Sequence, residues 1–126
     1  MNALRPKELE LMGVFWNTDI PLATAEIKNH VAEYSWSDSS LGALMVRLVK
    51  LGFLQVAGTF KKKNIICNTY QAVITKDQYY SDIISKSIGN ASSAFVLGFL
   101  SNLKESGNID HDTVDKMRQL LDTWED

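Results

Sequence analysis

One cysteine, two prolines and no long apolar run set the outer limits on this chain of 126 residues. Cys67 stands alone, so no disulfide can close within one chain and no thiolate cluster can form. His30 and His111 lie in different segments, outside any metal-ligand spacing, and both are expected at the surface. No metal or cofactor is therefore expected. No stretch reaches the roughly 18 apolar residues that span a bilayer. Arg5, Lys7, Glu8 and Glu10 interrupt any leader-like opening. Together these absences point to the cytoplasm, with no membrane partner. Phosphate-binding glycine loops, a nucleophile elbow and a supported carboxylate pair are also missing, so enzymatic activity is not expected.

What remains is enough to fold. An apolar fraction of 45% suits one domain, or a small domain with an appendage. The formal net charge of −2 conceals an asymmetry. Residues 1–76 hold nine Lys/Arg against six Asp/Glu, whereas residues 77–126 hold four against nine. The front half can face phosphate while the back half faces protein.

The stretch from Ser37 to Gly52 organises the rest. Ser37 can cap a helix start. Leu41, Leu44, Met45 and Leu48 recur at spacings of three and four, which makes one apolar stripe. Gly52 supplies the left-handed residue that ends such a helix. The opposite face carries Ser39, Ser40, Gly42, Ala43, Arg47 and Lys50, small or polar groups free to touch a partner.

Before it, Pro6 opens a helix holding Leu9, Met12, Val14, Phe15 and Trp16 and ending near Asn17. A second helix is predicted from Leu22 to Glu33, with Ile27 and Val31 inward, then a turn at residues 34–36. Trp16 and Trp36 read as core and turn-packing residues. Three short helices with a tight second connection form a helix-turn-helix. After Gly52 the period falls toward two. Phe53, Leu54 and Val56 read as a strand, Gly58 to Asn64 as a turn bearing Lys61, Lys62 and Lys63, and Ile65 to Val73 as the returning strand. Such a hairpin behind the third helix is a wing, and its basic tip would lie beside a DNA backbone.

Thr75 and Gln78 have capping-box spacing for a helix that carries Tyr79, Tyr80, Ile83, Ile84 and Ile88 and runs to Gly89. Another helix spans about Ser92 to Lys104, with Phe95, Phe99, Leu100 and Leu103 apolar. Asp110 caps the last, which carries Val114, Met117, Leu121 and Trp124. So much apolar surface in three helices calls for a second copy, and a homodimer is expected. The fold class expected is mainly α with a small β-hairpin: a winged helix-turn-helix domain over 1–74 and a helical dimerisation domain over 75–126.

The order and spacing of several blocks resemble the penicillinase-repressor (BlaI/MecI/CopY) family of winged-helix regulators. They are Glu8-Leu9-Glu10-Leu11-Met12 with Trp16, the run from Pro21 to Ile27, and Trp36-Ser37. Arg47-Leu48-Val49-Lys50 with Gly52, and Tyr70-Gln71-Ala72-Val73, complete them. The resemblance implies a dimeric repressor that reads a two-fold-related DNA operator, of a β-lactam-resistance-type or related stress operon. It also implies release of repression by a sensor-protease pathway that cuts the C-terminal region. Gly98-Phe99 stands where several relatives have Asn-Phe, so the substituted glycine weighs against an inherited cut at that bond. The Cys-x-Cys motifs of the copper-responsive branch are missing, which argues against copper sensing by that route.

By position, Ser39, Ser40, Gly42 and Ala43 match the family's base-reading segment, where some relatives place Lys, Thr and Arg. Without a long donor, the bidentate guanine contact is lost, and reading falls to serine hydroxyls and a methyl contact from Ala43. The bland alternative is an ordinary solvent face. Arg47 is expected as a phosphate anchor, with an intrahelical or interdomain ion pair as its alternative. Lys61 to Lys63 are expected as phosphate contacts, with a solubility role as theirs. Two other functions stay open: a winged-helix module that binds protein, and a regulator that takes a small effector among the aromatic C-terminal helices.

Overall fold

The computed structural model describes residues 1–30, 36–90 and 92–124. It is mainly helical with one small antiparallel sheet, a winged helix followed by a helical C-terminal region. Two compact units result, Met1–Ser87 and Ile88–Asp126. No described helix is long and apolar enough to cross a membrane.

In the first unit, α1 (Pro6–Trp16) begins with proline, whose missing N–H would have had no helical partner. Leu11, Met12, Val14 and Phe15 bury one side of it. The segment expected as a second α-helix is different. Leu22–Ala23 form a short strand, β1, and Thr24–His30 a 3-10 helix. Leu22 and Ala23 pair with Tyr70 and Thr69, so the sheet claims the backbone that would have started a helix. Ile27 is the one buried side chain of the 3-10 helix, so no wider apolar stripe demands the α pitch. Val31, Tyr34 and Ser35 lie outside the described residues.

Helix α2 (Asp38–Lys50) follows, then β2 (Leu54–Lys62) and β3 (Ile65–Ala72). The sheet order is β1-β3-β2. A bulge between Val56 and Gly58 shifts the register midway along the hairpin. The connection is much tighter than expected: only Lys63 and Asn64 turn the chain, with φ of 51° and 63°. Both left-handed values suit a two-residue type I′ turn, whose twist matches that of the strands. Lys61 and Lys62 therefore lie on β2, opposite Ile66 and Ile65, and not in a loop.

The core of this unit gathers Leu11, Met12, Leu22, Ile27, Leu41, Leu48 and Leu54 around Trp36 and Phe53. Helix α3 (Lys76–Ile88) joins it through Tyr79. The Tyr79 ring packs on Phe53 and Trp16 at centroid distances of 5.8 and 5.7 Å, and its hydroxyl accepts the Leu4 N–H at 2.8 Å. That docking places α3 with the first unit, which runs to Ser87.

The second unit holds α4 (Ser93–Ser106) and α5 (His111–Asp122). Ser92 and Asp110 cap them by accepting the Phe95 and Thr113 N–H groups. Neither helix has a buried side chain. Phe95 and Phe99 stack at 6.0 Å, while Leu97 and Trp124 are 64% and 71% exposed.

Candidate nucleic-acid interface

The sequence-predicted site divides between α2 and the wing, and both belong to the first unit. Ser37 starts α2 with its Oγ accepting the Ser40 N–H at 3.2 Å. The same hydroxyl donates to Ser40 Oγ at 2.9 Å, so the Ser40 hydrogen stays available to an outside acceptor. Ser39 lies within 3.3 Å of Ser37, forming a small hydroxyl cluster at the helix start.

Leu41, Met45 and Leu48 are buried along one stripe. Ser39, Ser40, Ala43, Arg47 and Lys50 are exposed on the other side, and Gly42 is half-buried at its edge. A Cβ added at Gly42 would meet nothing within 4 Å, so packing does not require glycine there.

The helix ends in a full Schellman arrangement. Gly52, with φ of 85°, donates to the Val49 carbonyl at 3.1 Å, and Phe53 donates to Leu48 at 2.9 Å. Phe53 then drops into the core and β2 begins. One glycine thus sets the angle between the exposed face of α2 and the wing. At the wing's end Lys61, Lys62 and Lys63 are all exposed.

Arg47 is ion-paired. Its Nε donates to the carboxylate of Glu8 on α1, and the pair links two helices of one unit. It is neither intrahelical nor interdomain, the two forms weighed from sequence. Glu8 is only 2% exposed, whereas the Arg47 side chain is 46% exposed. The other Glu8 oxygen accepts the Arg5 N–H at 2.8 Å. Burial pushes the Glu8 carboxyl up, but the Arg5 amide and the Arg47 guanidinium outweigh it and hold its pKa below the usual value. The carboxylate therefore stays charged beneath the arginine at neutral pH.

Beside this pair a cleft of about 580 Å³ runs between the start of α1 and α2, with Arg5, Lys7, Ser40 and Ala43 on its walls. The Lys7 ammonium stands 6.0 Å from the Trp36 ring centre. A second cavity, about 750 Å³, separates the 3-10 helix from the wing and includes Lys28, Phe60, Lys62 and half-buried Cys67. Both cavities are in the first unit. Among the described residues no cluster of three His, Cys, Asp or Glu could hold a metal.

Glu8, Arg5 and Lys7 were not singled out by sequence as site residues. The spacing of Glu8 to the helix start signals a cap, but no local pattern announces a partner 39 residues away. The residues expected at a dimer interface, and Gly98-Phe99, lie in the second unit. There Leu100, Leu103, Val114 and Met117 are half-buried, and Phe95, Phe99, Leu121 and Trp124 are exposed. Gly98 and Phe99 are internal to α4.

The penicillinase repressor family profile matches residues 4–123. The methicillin resistance regulatory protein MecI of Mammaliicoccus sciuri is 26% identical over 117 residues, spanning 90% of this chain and 89% of the relative. MecI proteins of Staphylococcus aureus and Staphylococcus epidermidis match at the same 26% identity and coverage.

Proposed function

The chain belongs to the penicillinase repressor family, a family of transcriptional repressors, and we propose that it acts in the cytoplasm as a homodimer on a two-fold-related DNA operator. One observation carries the reading. The face of α2 opposite the core offers Ser39, Ser40 and Ala43 to solvent, while the same unit extends a hairpin tipped with Lys61, Lys62 and Lys63. A helix of this kind fits the major groove, and the lysines suit the adjoining phosphates.

The wing turn supports the assignment. Lys63 adopts a left-handed backbone that costs a non-glycine residue about 1–2 kcal/mol. Glycine would relieve that strain but remove a cation from the tip. A charge kept at a strained position fits a phosphate contact better than a solubility role.

The reading of bases is short-range. Ser40 can donate to an acceptor on a base edge and Ala43 can touch a thymine methyl, but no long donor reaches a guanine pair from these positions. Its operator accordingly differs from one read by Lys and Arg at the same places.

The apolar residues of α4 and α5 fit a second copy. Dimerisation makes the second half-site contact intramolecular, so separation of the protomers releases DNA. A sensor-protease pathway that cut within α4, at Gly98-Phe99 despite the glycine or at another bond, would end repression by dividing that helix.

Selection of fragments from the source genome by purified protein, at low and moderate salt, tests this directly. Recovery of a short inverted repeat that survives moderate salt is expected. Binding that vanishes with salt and shares no site would move a protein partner into first place, the reading favoured by the uncharged centre of the α2 face.

A further inference from the structure

The Glu8–Arg47 pair is unusual in its asymmetry. One carboxylate oxygen caps the α1 backbone and the other takes the Nε of Arg47, so both oxygens of a buried acid are used. The arginine gives only one edge of its guanidinium to this contact. Its two terminal amino groups make no hydrogen bond among the described residues, and its side chain is 46% exposed. Ionic pairing for stability alone would engage the fork more fully.

Arg47 itself lines the cleft between α1 and α2. Arg5, Lys7 and Arg47 contribute three positive charges to its walls, against Glu8, which is already paired. Ser40 and Ala43 of the exposed α2 face share the same cleft. The charge of these walls suits an anionic group beside bound DNA.

We propose that this cleft seats a single backbone phosphate, held by the terminal nitrogens of Arg47 with Arg5 and Lys7 beside it, and that Glu8 is the positioning residue. The inference rests on the reading of α2 as the DNA-contacting helix. Fixing Nε locks the plane of the guanidinium, so less rotamer freedom is lost when the phosphate arrives. Glu8 thus strengthens DNA binding although its own charge repels DNA.

That opposition of sign makes the test decisive. The full chain is titrated with mixed-sequence duplex DNA by fluorescence anisotropy over a range of salt. Arg47→Met should lower the slope of log affinity against log salt by about 0.9, the loss of one phosphate contact. Glu8→Gln keeps the side-chain volume and an acceptor for the Arg5 amide, and makes the chain more positive. Simple electrostatics then predicts tighter binding, whereas positioning predicts binding weakened about three- to tenfold. In the Arg47→Met background, Glu8→Gln should weaken nothing further.

Equal or tighter binding by folded Glu8→Gln overturns the proposal. Should that variant lose its circular dichroism, Arg47→Lys decides instead, since it keeps the charge and removes the Nε anchor. Reduced affinity with an unchanged slope supports the proposal, and wild-type affinity overturns it. Failure of the wild-type chain to bind DNA at low salt would instead remove the underlying reading of α2.

Discussion

The Phe53 amide donates to the carbonyl of Leu48 at 2.9 Å, which ties the first residue of the wing to the last turn of α2. Both side chains are buried in the same core, so the backbone bond and the apolar contact fix one angle together. Between them stands Gly52, at a φ that side chains rarely adopt. The two elements that would meet DNA are therefore oriented by a joint of three residues and not by the length of a flexible linker.

Gly52→Ala should strain this joint. Space is available for the methyl group, so the cost is one of backbone conformation, about 1–2 kcal/mol. Urea denaturation should show a lower midpoint with an unchanged slope, and Gly52→Asn should lose less. A midpoint unmoved by alanine would mean that the turn relaxes to another conformation without penalty.

The buried carboxylate beneath Arg47 gives a pH dependence of definite sign. The folded-state pKa of Glu8 is lowered, so its stabilising contribution is complete above the unfolded glutamate value of about 4.3. It is lost as the pH falls through the folded value, where the acid protonates and releases the arginine. The difference in urea midpoint between wild type and Glu8→Gln should be constant near neutrality and shrink below about pH 4.3. A difference that grows on acidification would contradict the depressed pKa.

Gly42 separates helix stability from recognition. Replacement by alanine meets no neighbour and should stabilise α2 by about 1 kcal/mol. If the bare backbone lets DNA approach closely, the same variant should bind its selected operator at least tenfold more weakly. Calorimetry and anisotropy on one preparation check both effects. Higher stability with undiminished affinity would show that glycine is merely tolerated there.

The parts readable from sequence were those set by neighbours three or four residues apart. Ser37, Asp110 and the reciprocal Thr75–Gln78 pair cap their helices as their spacing implies. Leu41, Met45 and Leu48 fall on the buried stripe. What escaped depends on distant partners. Two residues become β1 only because β3 offers an edge to Leu22 and Ala23. The wing is longer than expected because Lys63-Asn64, with no glycine, closes it in two residues. The Glu8–Arg47 pair crosses 39 residues with no periodic signal at all.

Tyr79 docks α3 into the first core, and Gly89 ends that helix at φ of 63°. A fragment of residues 1–89 should therefore unfold cooperatively on its own. It lacks α4 and α5, whose apolar residues have no buried position within the chain. The fragment should accordingly sediment as a monomer and bind its operator at least a hundredfold more weakly than the full chain, the order of loss expected when avidity disappears. Phe99→Asp in the full chain should do the same without truncation, because a charge placed beside Phe95 cannot be desolvated cheaply. A full chain that stays dimeric with this substitution would move the interface away from α4. A monomeric fragment with undiminished affinity would sink dimer avidity as the means of repression.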